Sequence, residues 1–262
     1  MSAPLRVVRR PSGVAILTLA LPERRNAMTG ELTAAWTAAI GDLRADSSVR
    51  AVVVTGEGSA FCAGGDLDWL AESPNLTVQA IRDRMLPFYR AWLSIRDLEV
   101  PSIAAVNGPA VGAGLCLALA CDLRYAGRSA MLSAPFTALG MHAGMAATYL
   151  LPTTVGVAVA RELLLTGRRV DADEALRIGL VNGVYDDEAL LDGALTIAEQ
   201  IAGNGPIGIR LTVAALRNGT PRSLDDALMY ESLAQPVTFA SADLTEGLAA
   251  AKERRKPNFT GH

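Results

Sequence analysis

The stretch that most constrains this chain is residues 101–122, which read PSIAAVNGPAVGAGLCLALACD. The apolar run 103–106 predicts a buried strand, and Gly112-Ala113-Gly114 predicts a tight turn into a helix that is apolar on every side. The start of such a helix directs free backbone N–H groups and the positive end of the helix dipole at one point. We therefore expect that point to hold an anion or to stabilise the developing negative charge of a reacting carbonyl.

The bulk composition excludes several classes of protein. The 262 residues are 50% hydrophobic, which is enough for one large domain with or without an appendage. Only 19% of residues are charged and the formal net charge is −3, so we expect no nucleic-acid partner. The sequence has no uninterrupted run of 18 apolar residues, no signal-peptide pattern and an odd number of cysteines, three. These features predict a cytoplasmic protein without a membrane partner.

Hydrophobic periodicity predicts an α/β fold. Strand and helix patterns alternate over residues 1–200, which implies parallel pairing with right-handed crossovers. From residue 187 onward the pattern is helical, so we expect an α/β core over 1–200 and a helical region over 201–262. The predicted strands are 5–8, 14–20, 51–55, 102–106, 123–126, 130–133 and 180–184. The predicted helices before residue 187 are 30–44, 66–71, 80–97, one from 113, 144–151, 155–165 and 171–178, and the later breaks are 203–206, 219–221 and 235–236.

The glycine pattern Gly108-x-x-x-Gly112-x-Gly114 allows a second interpretation. A turn of this kind holds the dinucleotide pyrophosphate in NAD(P)-dependent short-chain dehydrogenases. Here it lies in the middle of the chain rather than after the first strand. Tyr125 is followed three residues later by Arg128 instead of the lysine of a Tyr-x-x-x-Lys pair. We therefore rank a dehydrogenase below the alternatives that follow.

A second glycine-rich loop, Ala60-Phe61-Cys62-Ala63-Gly64-Gly65-Asp66, also follows a buried strand and leads into a helix. Two such loops can each offer a backbone N–H to one carbonyl oxygen, from two sides. Each loop taken singly is explained as an ordinary tight turn. Further motifs occur in order along the chain, and they are PERRNA at 22–27, IAAVNGPAVGAG at 103–114, ACD at 120–122, LLTG at 164–167, DEA at 173–175, GLV at 179–181 and KPNF at 256–259.

With these motifs the chain resembles the crotonase superfamily, the enoyl-CoA hydratase/isomerase family, over nearly its whole length. The resemblance implies a spiral of ββα turns followed by a C-terminal helical region that builds homotrimers, often paired into hexamers. It implies an oxyanion hole made by the N–H groups of Gly65 and Ala113 around the thioester carbonyl of an acyl-CoA. Coenzyme A would be part of the substrate, with no separate cofactor or metal. The coenzyme would lie along Arg24, Arg25, Ala27, Ala63, Asp66 and Leu67, and Lys256 would either reach a CoA phosphate or be a solvated tail lysine.

The chain departs from the family at both acid/base positions. Hydration in this family uses two glutamates, and Cys116 and Phe136 stand in their places. A phenyl ring moves no proton, and a thiol in apolar surroundings is inert. Loss of such groups typically lowers the rate by about 10²–10⁴-fold each. We therefore expect slow hydration, and the alternative function is a catalytically inactive acyl-CoA-binding protein.

His142 is the best single candidate for proton transfer, because its unperturbed pKa suits neutral pH. The alternative is a structural histidine near a helix start or a subunit contact. Asp68 and Glu72 are either groups at the pocket mouth or ordinary surface carboxylates. Four aromatic residues are candidates for the wall of an apolar or aromatic acyl pocket, and for Trp92 ordinary core packing is the favoured alternative. They are Trp69, Tyr89, Trp92 and Phe136.

Overall fold

A computed structural model describes residues 3–72, 75–217 and 223–262 of the chain. Strands and helices alternate up to residue 202 and helices alone follow, as the periodicity predicts. The strands are β1 Leu5–Arg9, β2 Val14–Leu19, β3 Ala51–Gly56, β4 Ser102–Val106, β5 Ala110–Val111, β6 Leu123–Gly127, β7 Met131–Ser133, β8 Arg169–Asp171 and β9 Gly183–Tyr185. The helices are α1 Gly30–Ala45, α2 Leu67–Glu72, α3 Val78–Leu93, α4 Ala113–Ala120, α5 Ala147–Thr166, α6 Ala172–Arg177, α7 Leu190–Ala202, α8 Pro206–Arg217, α9 Leu224–Phe239 and α10 Ala242–Glu253.

The main sheet has six strands in the order β1-β2-β3-β4-β6-β9. The hairpin β1-β2 is antiparallel and every other pair in this sheet is parallel, which confirms the predicted parallel pairing. Central strand β3 is buried on both faces because its side chains alternate. Val52 and Val54 point into the larger core cluster with α1 and α4, whereas Ala51 and Val53 pack against α7.

A second sheet of three short strands, β5-β7-β8, was not expected from the sequence. All three strands have only two or three residues. Strand β7 corresponds to the predicted strand 130–133, whereas β5 and β8 are too short for a period-2 pattern to be recognised. Strand β5 lies immediately before α4. Its pairing with β7 therefore fixes the approach of the chain to the Gly112–Gly114 turn.

Several predicted boundaries are wrong, for local reasons. The last strand begins at Gly183 rather than 180, because the amides of Leu180 and Val181 bond to the Ala175 carbonyl and close the end of α6. Helix α9 runs through Pro236 instead of breaking there, since Ser232, whose carbonyl loses its partner, is exposed to solvent. The predicted helix 80–97 is α3 followed by a 3₁₀ turn over Ser94–Asp97. The predicted break at 219–221 lies outside the described residues.

Helix α5 is, by length and composition alone, apolar enough to cross a membrane. Gly156 in its middle has non-helical backbone angles (φ 78°, ψ 163°), so the segment is two shorter helices rather than one continuous rod. The sequence analysis predicted the same division into two helices. The first half buries Ala147, Leu150 and Leu151 in the core next to α4.

Arg217, at the end of α8, joins the helical region to the start of β4. Its guanidinium donates to both carboxylate oxygens of Asp122, at 2.7 Å from Nε to Oδ1 and 2.5 Å from Nη2 to Oδ2. It also donates to the carbonyl oxygens of Arg96, Leu98 and Val100. Asp122 in turn accepts from the backbone N–H and hydroxyl of Ser102. The ion pair is largely buried, and both carboxylate oxygens of Asp122 accept hydrogen bonds from Arg217 or Ser102. Asp122 therefore serves a structural role.

We expect Arg217→Ala to lower the free energy of unfolding by about 3 kcal/mol, because it leaves the Asp122 carboxylate and three carbonyls without their donor. Urea denaturation followed by circular dichroism measures the change. Arg82→Ala is the matched control, since Arg82 is exposed on α3, and it should change stability by less than about 0.5 kcal/mol. Equal effects of the two substitutions would contradict the prediction.

Candidate active site

The two glycine-rich loops cross at backbone distance. The amides of Phe61 and Cys62 both donate to the Pro109 carbonyl at 3.1 Å, and Val111 N–H donates to the Cys62 carbonyl at 3.0 Å. Cys62 and Ala110 form an isolated parallel bridge. The loop after β3 is thereby held directly against the segment that leads into α4.

Glycine is required where these loops touch. A methyl group added at Gly114 would lie 2.1 Å from the Cys62 carbonyl oxygen. A methyl group at Gly64 would lie 2.4 Å from the Val111 carbonyl oxygen and 3.2 Å from the Ala113 nitrogen. Gly64 also has a φ of +94°, which other residues rarely adopt. The Gly64–Gly65 peptide therefore lies beside the Ala113 amide.

Two backbone N–H groups at this crossing are free. Helix α4 begins at Ala113, and its first return bond runs from Cys116 N–H to the Gly112 carbonyl, so the Ala113 amide has no helical acceptor. Over residues 3–72, 75–217 and 223–262, neither the Ala113 N–H nor the Gly65 N–H donates a hydrogen bond. The structure thus brings together the two residues that the sequence analysis selected.

The segment predicted to lie along coenzyme A runs beside the same loop. Ala63 N–H donates to the Arg25 carbonyl at 2.9 Å, and Met28 N–H donates to the Gly64 carbonyl at 2.8 Å. The Arg24 guanidinium reaches across to Asp66 at 2.9 Å and to Asp68 at 2.6 Å. Asp68 is therefore paired at the surface. Leu67 is the first residue of α2. Ala27, in the same segment as Arg24, is buried.

Asn26 is a site-building residue that the sequence analysis did not identify. It is fully buried and has a left-handed backbone (φ 56°). Its Oδ1 accepts from Leu21 N–H at 2.9 Å, and its Nδ2 donates to the carbonyls of Glu57 and Ala60 at 3.0 and 2.8 Å. The available signal was the residue type, because asparagine tolerates this conformation better than most.

Cys116 and Phe136, the two positions where the sequence analysis compared the chain with the family's acid/base glutamates, lie around the same turn. Cys116 is one helical turn beyond Ala113, and burial raises the pKa of its thiol to about 12. Its Sγ–H donates weakly to the Gly144 carbonyl at 3.7 Å. Two ring carbons of Phe136 lie 3.7 Å from a methyl group placed on Gly112. Neither side chain supplies a carboxylate, and the thiol stays protonated at neutral pH.

The aromatic residues proposed for the pocket wall divide into two groups. Trp92 is fully buried and stacks on Trp36 with ring centres 5.0 Å apart, so it belongs to the core between α1 and α3. Trp69 on α2 stacks on Phe88 of α3 at 6.3 Å, and Phe88 contacts Tyr89 at 6.1 Å. The second group connects α2, next to the Gly65 loop, with α3.

The remaining candidates are exposed. His142 lies in the loop before α5, and its Nδ1 is 2.7 Å from the Ala143 carbonyl oxygen. Glu72 is exposed at the end of α2. Lys256 is exposed in the C-terminal tail, where its carbonyl accepts from Arg255. None of the three is in hydrogen-bonding contact with the loop crossing among the described residues.

The sequence model of the Enoyl-CoA hydratase/isomerase family matches residues 9–262. A Mycobacterium tuberculosis protein named "Probable enoyl-CoA hydratase EchA12" is 42% identical over 259 residues, which are 94% of this chain and 89% of that protein. The short-chain-enoyl-CoA hydratase of Clostridium acetobutylicum is 34% identical over 251 residues, 95% of each chain. The crystal structure of an enoyl-CoA hydratase from Bacillus anthracis superposes with a TM-score of 0.93 at 35% identity, covering 99% of this chain and 100% of that one.

These likenesses overturn the dinucleotide-binding alternative for Gly108–Gly114. Tyr125, which the sequence analysis compared with the tyrosine of a Tyr-x-x-x-Lys pair, contacts Tyr185 with ring centres 5.7 Å apart and packs against the smaller core cluster beside α7. The match extends over the α/β core, the loop crossing and the C-terminal helices alike. The chain belongs to the enoyl-CoA hydratase/isomerase family and has its crotonase fold.

Proposed function

We propose that this protein binds an acyl-CoA thioester and polarises its carbonyl between the N–H groups of Gly65 and Ala113. The observation that carries the proposal is the pair of unpartnered amides at the loop crossing, one of them at the start of a buried helix. Two preorganised donors of this kind stabilise an oxyanion or enolate without reorganisation. Membership of the family supports an acyl-CoA as the ligand.

The coenzyme half of the ligand would follow the backbone of residues 24–28 and 63–66, which lie side by side. Arg25 is exposed at the outer edge of this track, whereas Arg24 is already paired with Asp66 and Asp68. Arg25 is therefore the better candidate for a CoA phosphate. Lys256 is a second candidate because it carries an exposed charge on the C-terminal tail.

We further propose that hydration of an enoyl-CoA is slow in this protein. Cys116 cannot act as a general base, because burial holds the pKa of its thiol at about 12, and Phe136 has no proton to move. The same observation favours a second candidate function, an acyl-CoA-binding protein without catalysis. Measured binding together with measured turnover on crotonyl-CoA separates the two.

Ala113→Pro tests the oxyanion hole. Ala113 is the first residue of α4, where proline is accommodated, so the substitution removes the N–H donor with little change to the helix. We expect any thioester turnover to fall about 10²–10³-fold. For a protein without turnover, we expect acyl-CoA affinity to fall at least about tenfold. A spectrophotometric activity assay measures the turnover, and titration calorimetry measures the affinity.

Val78→Pro is the matched control for this substitution. Val78 is the exposed first residue of α3, after the Thr77 cap, so the same chemical change is made at another helix start. It should leave thioester binding and turnover unchanged. If Ala113→Pro behaved like Val78→Pro at an unaltered melting temperature, the oxyanion assignment would be wrong.

The double substitution Cys116→Glu with Phe136→Glu tests whether only the acid/base groups are lacking. We expect crotonyl-CoA hydration to rise at least about 10²-fold above the unmodified protein, with each single substitution giving less. Absorbance loss of the enoyl thioester measures the rate. Rapid hydration by the unmodified protein would instead show that another residue already performs proton transfer.

We propose that the chain assembles into a homotrimer or a pair of trimers through its helical region. Helix α9 buries none of its residues within the chain. Met229, Leu233 and Val237 recur every four residues along it and are 63%, 69% and 52% exposed. An apolar row of this kind on one helix face is typical of a protein interface.

Leu233→Asp places a charge in the centre of this row. We expect the mass in solution to fall from three or six chains to one chain of 27.4 kDa, as measured by light scattering. The fold of the single chain should persist, because the Leu233 side chain is largely exposed within the chain. Val78→Asp, at an even more exposed apolar position on α3, should leave the mass unchanged. An unchanged mass for Leu233→Asp would contradict the proposed interface.

A further inference from the structure

The Tyr89 hydroxyl lies beside Gly144, which also contacts Cys116. A methyl group added at Gly144 would lie 2.5 Å from the Tyr89 hydroxyl oxygen. The Gly144 carbonyl also receives the Cys116 thiol at 3.7 Å. Cys116 is one helical turn, about 5 Å along the axis, beyond Ala113. The phenol of α3 and the thiol of α4 are therefore neighbours at Gly144, and the thiol is one helical turn from the free Ala113 amide.

The Tyr89 hydroxyl has an unused donor. Among the described residues it donates a hydrogen bond to no acceptor, although the side chain is partly buried against the larger core cluster. Burial raises the pKa of Tyr89, the Met145 N–H lowers it in part, and the nearby Cys116 raises it further. The phenol is therefore protonated at neutral pH. The hydroxyl is not among the fully buried polar atoms that lack a partner, so a ligand or water can reach it and accept its hydrogen bond.

The neighbouring side chains cannot donate a strong hydrogen bond to a ligand here. Phe136 has no polar atom, and the Cys116 thiol is a weak donor already directed at Gly144. His142 is exposed and its Nδ1 faces the Ala143 carbonyl. At this end of the site a strong neutral donor comes from Tyr89.

We propose that Tyr89 is a specificity-determining residue, whose hydroxyl donates a hydrogen bond to an oxygen atom carried by the acyl group at or near its third carbon. This inference rests on the proposed thioester site, since the ligand reaches Tyr89 only when its carbonyl lies between Gly65 and Ala113. The group acts as a donor rather than as a base, because its proton is held firmly at neutral pH.

Binding measurements on the full chain test the inference without requiring turnover. Titration calorimetry would compare butanoyl-CoA with each enantiomer of 3-hydroxybutanoyl-CoA. We expect the unmodified protein to bind one 3-hydroxy enantiomer about tenfold more tightly than butanoyl-CoA, the effect of one well-placed hydrogen bond. Tyr89→Phe should reduce this preference to less than about twofold and leave the affinity for butanoyl-CoA unchanged.

Tyr125→Phe is the control, because Tyr125 lies in the smaller core cluster and should keep the tenfold preference. Retention of the preference by Tyr89→Phe would overturn the inference. Equal weakening of both ligands would also overturn it, since it would indicate a structural role. Binding of all ligands without any preference refutes this inference alone. If no CoA thioester bound the unmodified protein, the proposed function would be refuted, and the inference that rests on it would be refuted too.

Discussion

The backbone contact between residues 60–65 and 109–114 is the interaction on which the rest of this structure depends. Three hydrogen bonds hold the two segments together. Gly64 and Gly114 allow the backbones to lie so close that no methyl group would fit between them. Strands β3 and β4 bring the segments to the same edge of the sheet, because both strands are parallel and adjacent. The free amides of Gly65 and Ala113 are a direct result of that crossing.

The surrounding groups support the crossing rather than take part in it. Asn26 holds the segment before α1 against the loop after β3, and Asn107 accepts from Gly56 N–H and donates to the Gly58 carbonyl. Arg217 and Asp122 anchor the other end of β4 to α8. Side-chain amides and one ion pair thus position a site whose proposed working groups are backbone N–H groups.

The sequence was sufficient to predict the features that depend on local pattern. The α/β order, the parallel sheet and the turns at Gly64–Gly65 and Gly112–Gly114 follow from hydrophobic periodicity and from glycines at strand ends. The ion pair of Arg217 with Asp122 joins positions 95 residues apart, and the approach of Tyr89 to Gly144 joins α3 to the loop before α5. Such long-range contacts leave no local signal. Strands β5 and β8 are too short to show a period.

During evolution, amino-acid substitutions alter a site formed from main-chain amides less readily than a site formed from side chains. Substitution at Ala113 alters the methyl group near the ligand but keeps the N–H, unless the new residue is proline. Substitution at Cys116 or Phe136 changes the chemistry at once, and neither residue takes part in the loop crossing. Ligand recognition can therefore persist in a lineage after its original reaction has been lost, which makes this fold a starting point from which new reactions can evolve.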